Sequence, residues 1–216
     1  MQLEKGHIYH IYNQGNNKQQ IFFDRDNYMF FLKKVRTYIL PYADVLAWCL
    51  MPNHFHLMVL VNEVEMLVDK RLGVSLTSNN SEAMTPNKRL GVSSRHTESA
   101  KIRTFNSSIG IMLMAYTKAL NKQRDRTGKL FREETKAECI DCINKLTPSF
   151  IENQIIITNP EEQYPQICFN YIHQNPVKVG LVKTAEEWEF SSAMDYTNTR
   201  NGTLINKEIT EKYVDY

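Results

Sequence analysis

Hydrophobic and polar positions along the chain follow two periods, and the change from one to the other marks its elements. His7 to Asn13, HIYHIYN, alternates with the period of two that suits a strand, and Gln14-Gly15-Asn16-Asn17 closes it as a turn. Asp24 is placed as an N-cap ahead of Asn27 to Leu40. In that run Tyr28, Phe31, Leu32, Val35, Tyr38 and Ile39 recur at helical spacing, and Pro41 ends it. Ala43 to Val61, ADVLAWCLMPNHFHLMVLV, is two apolar runs separated by the turn formers Pro52 and Asn53, which predicts two strands joined by a tight turn. The expected order is strand, helix, hairpin.

From Asn62 to about Arg103 the aromatic residues disappear and Ser, Thr, Asn and charged residues dominate. KRLGVS occurs twice there, at Lys70 to Ser75 and Lys88 to Ser93, too short a unit for an architectural repeat. Such a stretch buries too little apolar surface to offset ordering, so a solvated, mobile insertion is expected over 62–103. A helical pattern returns in SSIGIMLMAYTKALNKQRDR with a serine cap and Ile109, Met112, Leu113, Tyr116 and Leu120 along one side. Ile155 to Ile157 predicts a short strand, Gln166 to Gln174 a helix ended by Asn175-Pro176, and Ser191-Ser192 the cap of a last short helix reaching Tyr196. Trp188 and Phe190 read as an aromatic anchor, and the tail beyond as polar and peripheral.

Composition adds bounds. A chain of 216 residues with 42% hydrophobic and 11% aromatic residues can build a core, and the formal net charge of +2 announces no partner by itself. No apolar run reaches the ~18 residues of a membrane span, and the N-terminus lacks a signal-peptide core, so a cytoplasmic protein is expected. Four cysteines form no disulfide framework, and Cys139 and Cys142 read as reduced thiols. Charge distribution says more than the total. Lys118, Lys122, Arg124, Arg126, Lys129 and Arg132 stand against the single acid Asp125, which fits either a solvated helix face or a footprint for a phosphate backbone.

The chemistry centres on His54-Phe55-His56. In a strand the two imidazoles share one face while Phe55 points to the other, so the histidines can hold one metal ion; the same spacing fits two surface histidines at a strand start. A histidine-triad hydrolase would need a third histidine at Met58, a two-histidine phosphoesterase a second His-x-Ser/Thr motif, and a zincin two histidines four apart on a helix. None is present. Further ligands and a nucleophile must come from elsewhere.

With YHIYNQGNNKQQIFFD, AWCLMPNHFHLMVLV, AYTKALNKQRDRTGKLFRE and YIHQNPVKVGLVKTAEEWEFSS in that order, the chain resembles the single-tyrosine HUH transposases of insertion sequences, and most nearly the REP-associated tyrosine transposases. The resemblance implies an α+β fold, a ferredoxin-like antiparallel sheet backed by helices, with a core over 1–146 and a C-terminal extension over 147–216 packed on it. It implies Tyr116 as the nucleophile, His54 and His56 as metal ligands, and Mg²⁺ or Mn²⁺ as cofactor. The implied reaction is cleavage and rejoining of hairpin-bearing single-stranded DNA through a 5′-phosphotyrosine link, with a free 3′-OH released, by a monomer or homodimer. In relatives a polar residue about one helical turn after the tyrosine completes the metal site; here position 120 is Leu120, and Asn121, the nearest polar side chain, is the expected third metal ligand, with the tyrosine reaching in from another angle. A five-residue step turns about 140° on a helix, so Tyr116 and Asn121 do not share a face. A tyrosine in an apolar helical stripe is also an ordinary core residue. Two other readings share the pattern: an HUH replication initiator or relaxase, and a transposase-derived DNA-binding protein that no longer cuts.

Overall fold

A computed structural model of the chain describes residues 2–69, 100–142, 147–151 and 157–216. Both KRLGVS copies, and Ile155 and Ile156 of the expected short strand, lie outside the described residues. Strands β1 (Ile8–Gln14), β2 (Ala43–Met51), β3 (His54–Val61) and β6 (Lys136–Cys139) form one four-stranded sheet in the order β2-β3-β1-β6, every pairing antiparallel. Helix α1 (Arg25–Tyr38) joins β1 to β2, and α2 (Phe105–Gln123) lies between β3 and β6. This is the ferredoxin-like α+β arrangement.

Local chemistry accounts for the elements. The Asp24 carboxylate accepts the Asn27 N–H at 2.9 Å and caps α1, and the Thr104 hydroxyl, not a serine, caps α2 by accepting from Ser107 N–H at 3.1 Å. Strands β4 (Glu65–Asp69) and β5 (Ala100–Thr104) pair as a two-stranded ribbon leading into α2. The flanks of the expected insertion are therefore ordered strand, because Met66, Leu67, Val68 and Ile102 supply the β-forming positions that a reading by polarity alone passes over.

Strand alternation divides the sheet. Ile11, Trp48, Leu50, Phe55, Leu57 and Val59 face α1 and α2, whose Phe31, Val35, Ile109, Met112 and Tyr116 complete one core. Ile8, Cys49, Met51 and Met58 belong to a second core built against α3 (Pro160–Lys178) and the C-terminal segment. Helix α3 starts at Pro160 with Glu161 and Glu162 in its first turn and passes through Pro165 and Pro176, so it is longer than the proline positions predict. It stops two residues later than Pro176, where Gly180 takes φ +72° and Leu181 N–H reaches Pro176 O at 2.9 Å, a Schellman closure.

The tail is not peripheral. Trp188 Nε1 donates to Leu50 O at 3.0 Å, Phe190 stacks on Tyr28 at 3.7 Å, and Asn206 N–H donates to Val45 O at 2.9 Å. The bulge between Val45 and Ala47 turns Leu46 O toward Tyr196, at the end of α4 (Ala193–Tyr196), whose hydroxyl donates to it. Helix α5 (Lys207–Thr210) follows, and Thr210 and Val214 are buried against this edge. Cys139 and Cys142, expected as thiols, are disulfide-bonded with their Cα atoms 5.6 Å apart, within reach for such a bond.

Phe55 is fully buried, with Phe31 at 5.0 Å and Phe131 at 6.1 Å between ring centroids. Phe55→Ala is expected to cost about 3–5 kcal/mol in denaturant unfolding; a loss below about 1 kcal/mol would contradict its place at the centre of this core.

Candidate active site

On the second face, ladder register sets the site. Tyr12 lies opposite His56 and Gln14 opposite His54, so His10, Tyr12, Gln14, His54 and His56 project to one side of the sheet. The His54 and His56 rings are 4.9 Å apart and perpendicular. His54 Nδ1 lies 2.6 Å from Asn53 Oδ1, which makes Nδ1 the donor in that pair. His56 Nδ1 lies 2.8 Å from His10 Nε2, while His56 Nε2 is buried without a partner. An orphaned imidazole nitrogen beside a second buried imidazole suits a divalent cation, and burial favours the neutral state that ligation requires. Burial lowers His54 to about 4, with Asn175 pulling weakly the other way; burial, then His10 and His54, push His56 well below its ordinary value.

Behind the two histidines runs a relay of His10 and Glu138. His10 is buried, its ring is stacked 5.0 Å from that of His56, and its Nδ1 faces Glu138 Oε2 at 3.8 Å. Burial alone would raise the Glu138 carboxyl, but His10, the Ser149 hydroxyl and backbone N–H, and the Tyr12 hydroxyl together hold it down at about 2. At 3.8 Å, with His10 Nδ1 left without a hydrogen-bond partner, the ionised Glu138 favours electrostatically the tautomer with Nδ1–H toward it and Nε2 accepting from His56 Nδ1–H. That tautomer frees His56 Nε2 for a metal. Sequence reasoning passes over His10, Tyr12 and Glu138 as site residues, although the period of two in HIYHIYN places His10 and Tyr12 on one face.

Tyr116 is not in this site. It lies on α2 on the other side of the sheet, 1% exposed, its hydroxyl donating to Ile21 O at 2.6 Å and its ring among Phe22, Phe31 and Phe131. Burial, then Asp24 and Tyr28, raise its hydroxyl far above the ordinary value. The apolar stripe that identifies α2 carries Tyr116 into the core with it. Asn121 is likewise on α2, its amide donating to Gly128 O at 2.9 Å.

The tyrosine that meets the histidines is Tyr171 on α3, with its ring 5.4 Å from His56 and 5.9 Å from His10. Burial raises its hydroxyl; Asn175 and then Lys178 lower it, the Lys178 ammonium lying 5.4 Å from the ring centre. Asn175, one turn later on the same helix face, touches both Tyr171 and His54. A cavity of about 180 Å³ is lined by Gln14, His54, His56, Arg132, Lys136 and Tyr171. Arg132 and Asn13 also line an adjoining groove of about 560 Å³ with Lys118, Asn121 and Lys129. Of the other basic residues, Lys122 is exposed at the end of α2, Arg124 covers the Phe23 ring at 4.0 Å, and Arg126 donates to Gln19 Oε1 at 2.7 Å. Among the described residues, no helix is long and apolar enough to cross a membrane.

No protein-family model and no curated protein matches the chain. Over 95% of this chain and 92% of that one, the fold is similar to the solved structure of a REP-associated tyrosine transposase bound to a REP hairpin, with a TM-score of 0.52 and 14% sequence identity. At that identity the likeness establishes a shared fold.

Two outcomes are expected. Tyr116→Phe should lower stability by ~1 kcal/mol, the value of its hydrogen bond, in a denaturant titration; no change at all would mean the Ile21 hydrogen bond is idle. His10, His54, His56 and His173 all titrate below the ordinary histidine value of 6.5, so in acid the unfolded chain binds protons that the folded chain refuses. Stability should therefore be full above about pH 6.5 and fall as pH drops toward 4, followed by the unfolding midpoint at several pH values. A midpoint independent of pH across that window would contradict neutral, buried imidazoles.

Proposed function

We propose that this chain is a metal-dependent single-stranded DNA nuclease and strand transferase that works through a covalent 5′-phosphotyrosine, with Tyr171 as the nucleophile. The observation that carries the reading is the convergence of His54, His56 and Tyr171 on one cavity, with Asn175 against both His54 and Tyr171. The spacing that the resemblance calls for, a polar residue one turn after the tyrosine, fails at Tyr116 and Leu120 and is met at Tyr171 and Asn175. Hairpin-bearing DNA as substrate is carried over from what the structural neighbour binds. Sedimentation at several protein concentrations separates a monomer from a homodimer.

His54 and His56 would hold Mg²⁺ or Mn²⁺, with Asn175 Oδ1 as a third ligand in place of Asn121. Such an ion supplies Lewis acidity at a phosphate oxygen. The Tyr171 oxygen bonds to phosphorus, the bond from phosphorus to the 3′ oxygen breaks, the phenol proton passes to solvent, and the 3′ oxygen takes a proton to leave as a hydroxyl. Asn175 and Lys178 favour the phenolate against the burial that opposes it. Arg132 and Lys136 stand at the cavity rim for the backbone, and Lys118 and Lys129 at the adjoining groove. The aryl phosphate ester retains the energy of the broken linkage, so rejoining needs no nucleotide. A second reading, a DNA-binding protein that no longer cuts, is favoured by the burial of Tyr116 and is separated by whether a covalent adduct forms.

With labelled single-stranded hairpin oligonucleotides and Mg²⁺ or Mn²⁺, a covalent protein–DNA band should survive denaturing electrophoresis and vanish in EDTA. Tyr171→Phe should abolish the band while binding stays within a few-fold, and Tyr116→Phe should retain it. Loss only in Tyr164→Phe, nearer the start of α3, would reassign the nucleophile; absence of any band in the unaltered protein would favour the non-cutting reading. Replacing Arg132 and Lys136 by Ala should reduce the salt-dependence slope of binding by about 1 for each phosphate left without its cationic partner. An unchanged slope would remove them from the DNA path.

A further inference from the structure

Outside this cavity, where the chain enters β1 and leaves β6, His7, Cys139, Asp141 and Cys142 each bring one ligand atom to within 4.8 Å of the others. His7 Nδ1 and Cys139 Sγ both lie 3.3 Å from Asp141 Oδ1. The carboxylate is held in place by Ile8 N–H at 2.9 Å, and the turn by the buried Ile140, whose N–H donates to Ile8 O at 3.0 Å. Tetrahedral zinc bonds of ~2.0–2.3 Å set ligand atoms about 3.3–3.8 Å apart, a spacing that the His7–Asp141 and Cys139–Asp141 separations already meet. We propose that, with the two thiols reduced, His7, Cys139, Asp141 and Cys142 bind one Zn²⁺ as a closed structural site.

The disulfide between Cys139 and Cys142 engages two of these four groups and spans a sequence separation of 3, a loop too short to constrain the unfolded chain much. Zinc engages all four and leaves no open position, which marks the site as structural. Reduction by a phosphine consumes one water and yields two thiols and a phosphine oxide; binding then releases two thiol protons, so affinity falls with falling pH. The ion would clamp β6 to the start of β1. Glu138, next to Cys139 on β6, is the carboxylate that faces His10, so the clamp secures the outer end of the relay.

The test uses the full chain, reduced with a phosphine and stripped of metal, and titrated with Co²⁺ as the probe and then Zn²⁺. One thiolate-to-cobalt charge-transfer band per chain should appear with the visible bands of a tetrahedral site, and one equivalent of Zn²⁺ should erase both. The band should be lost in Cys142→Ser and persist in the His54→Ala, His56→Ala double variant, which separates this site from the other. His7→Ala, a change at a half-exposed side chain, should weaken cobalt binding by more than about tenfold even if Cys142→Ser fails to fold. No charge-transfer band in the reduced protein, or affinity unaffected by His7→Ala, would overturn the proposal.

Discussion

The alternation of side chains along β3 is the constraint on which the rest of the molecule depends. Phe55 goes to one face, into a fully buried aromatic cluster with Phe31 and Phe131, and that fixes the register. A slip of one residue would drive His54 and His56 into that cluster and expose the phenyl ring. The same alternation in β1 brings His10, Tyr12 and Gln14 up beside them. The sheet thus works as a partition: the aromatic core on the side of α1 and α2, the histidines and a second core on the side of α3.

What makes the chemical side suited to a cation is its economy of charge. The imidazoles of His10, His54 and His56 are kept neutral by burial, and the ionised carboxylate facing them is Glu138, held so by its hydrogen bonds. Neutral imidazoles have lone pairs to offer at neutral pH, and the relay decides which nitrogen offers one. Burial of so many unpaired or singly paired nitrogens costs stability, a cost that a bound ion would offset by mass action. The opposing core, dense in aromatic side chains, is where the fold can bear that cost.

Much of this was legible in the chain. The hairpin, α1 with its Asp24 cap and the shared face of His54 and His56 follow from periodicity and turn chemistry, because strand and helix periods are local properties. The side of the sheet that a helix covers is not local. Tyr116 sits in a recognisable stretch, yet its apolar stripe points to the core, and the missing polar residue at Leu120 is the visible warning. Tyr171 and Asn175 carry the required spacing, obscured because Pro176 reads as a helix stop, whereas α3 runs on to Lys178. His10 and Glu138 pair across strands far apart in sequence, and a single strand's pattern gives no sign of such a partner.

The central claim is that the tyrosine facing the histidines, not the one in the core, does the chemistry. The most direct measurement is to trap the protein on a hairpin oligonucleotide with Mn²⁺, digest both components, and locate the nucleotide-bearing residue by tandem mass spectrometry. The phosphate remnant is expected on Tyr171. A remnant on Tyr116 would contradict the claim, because a phenol buried beneath the sheet and bonded to Ile21 O would then have to leave the core to react.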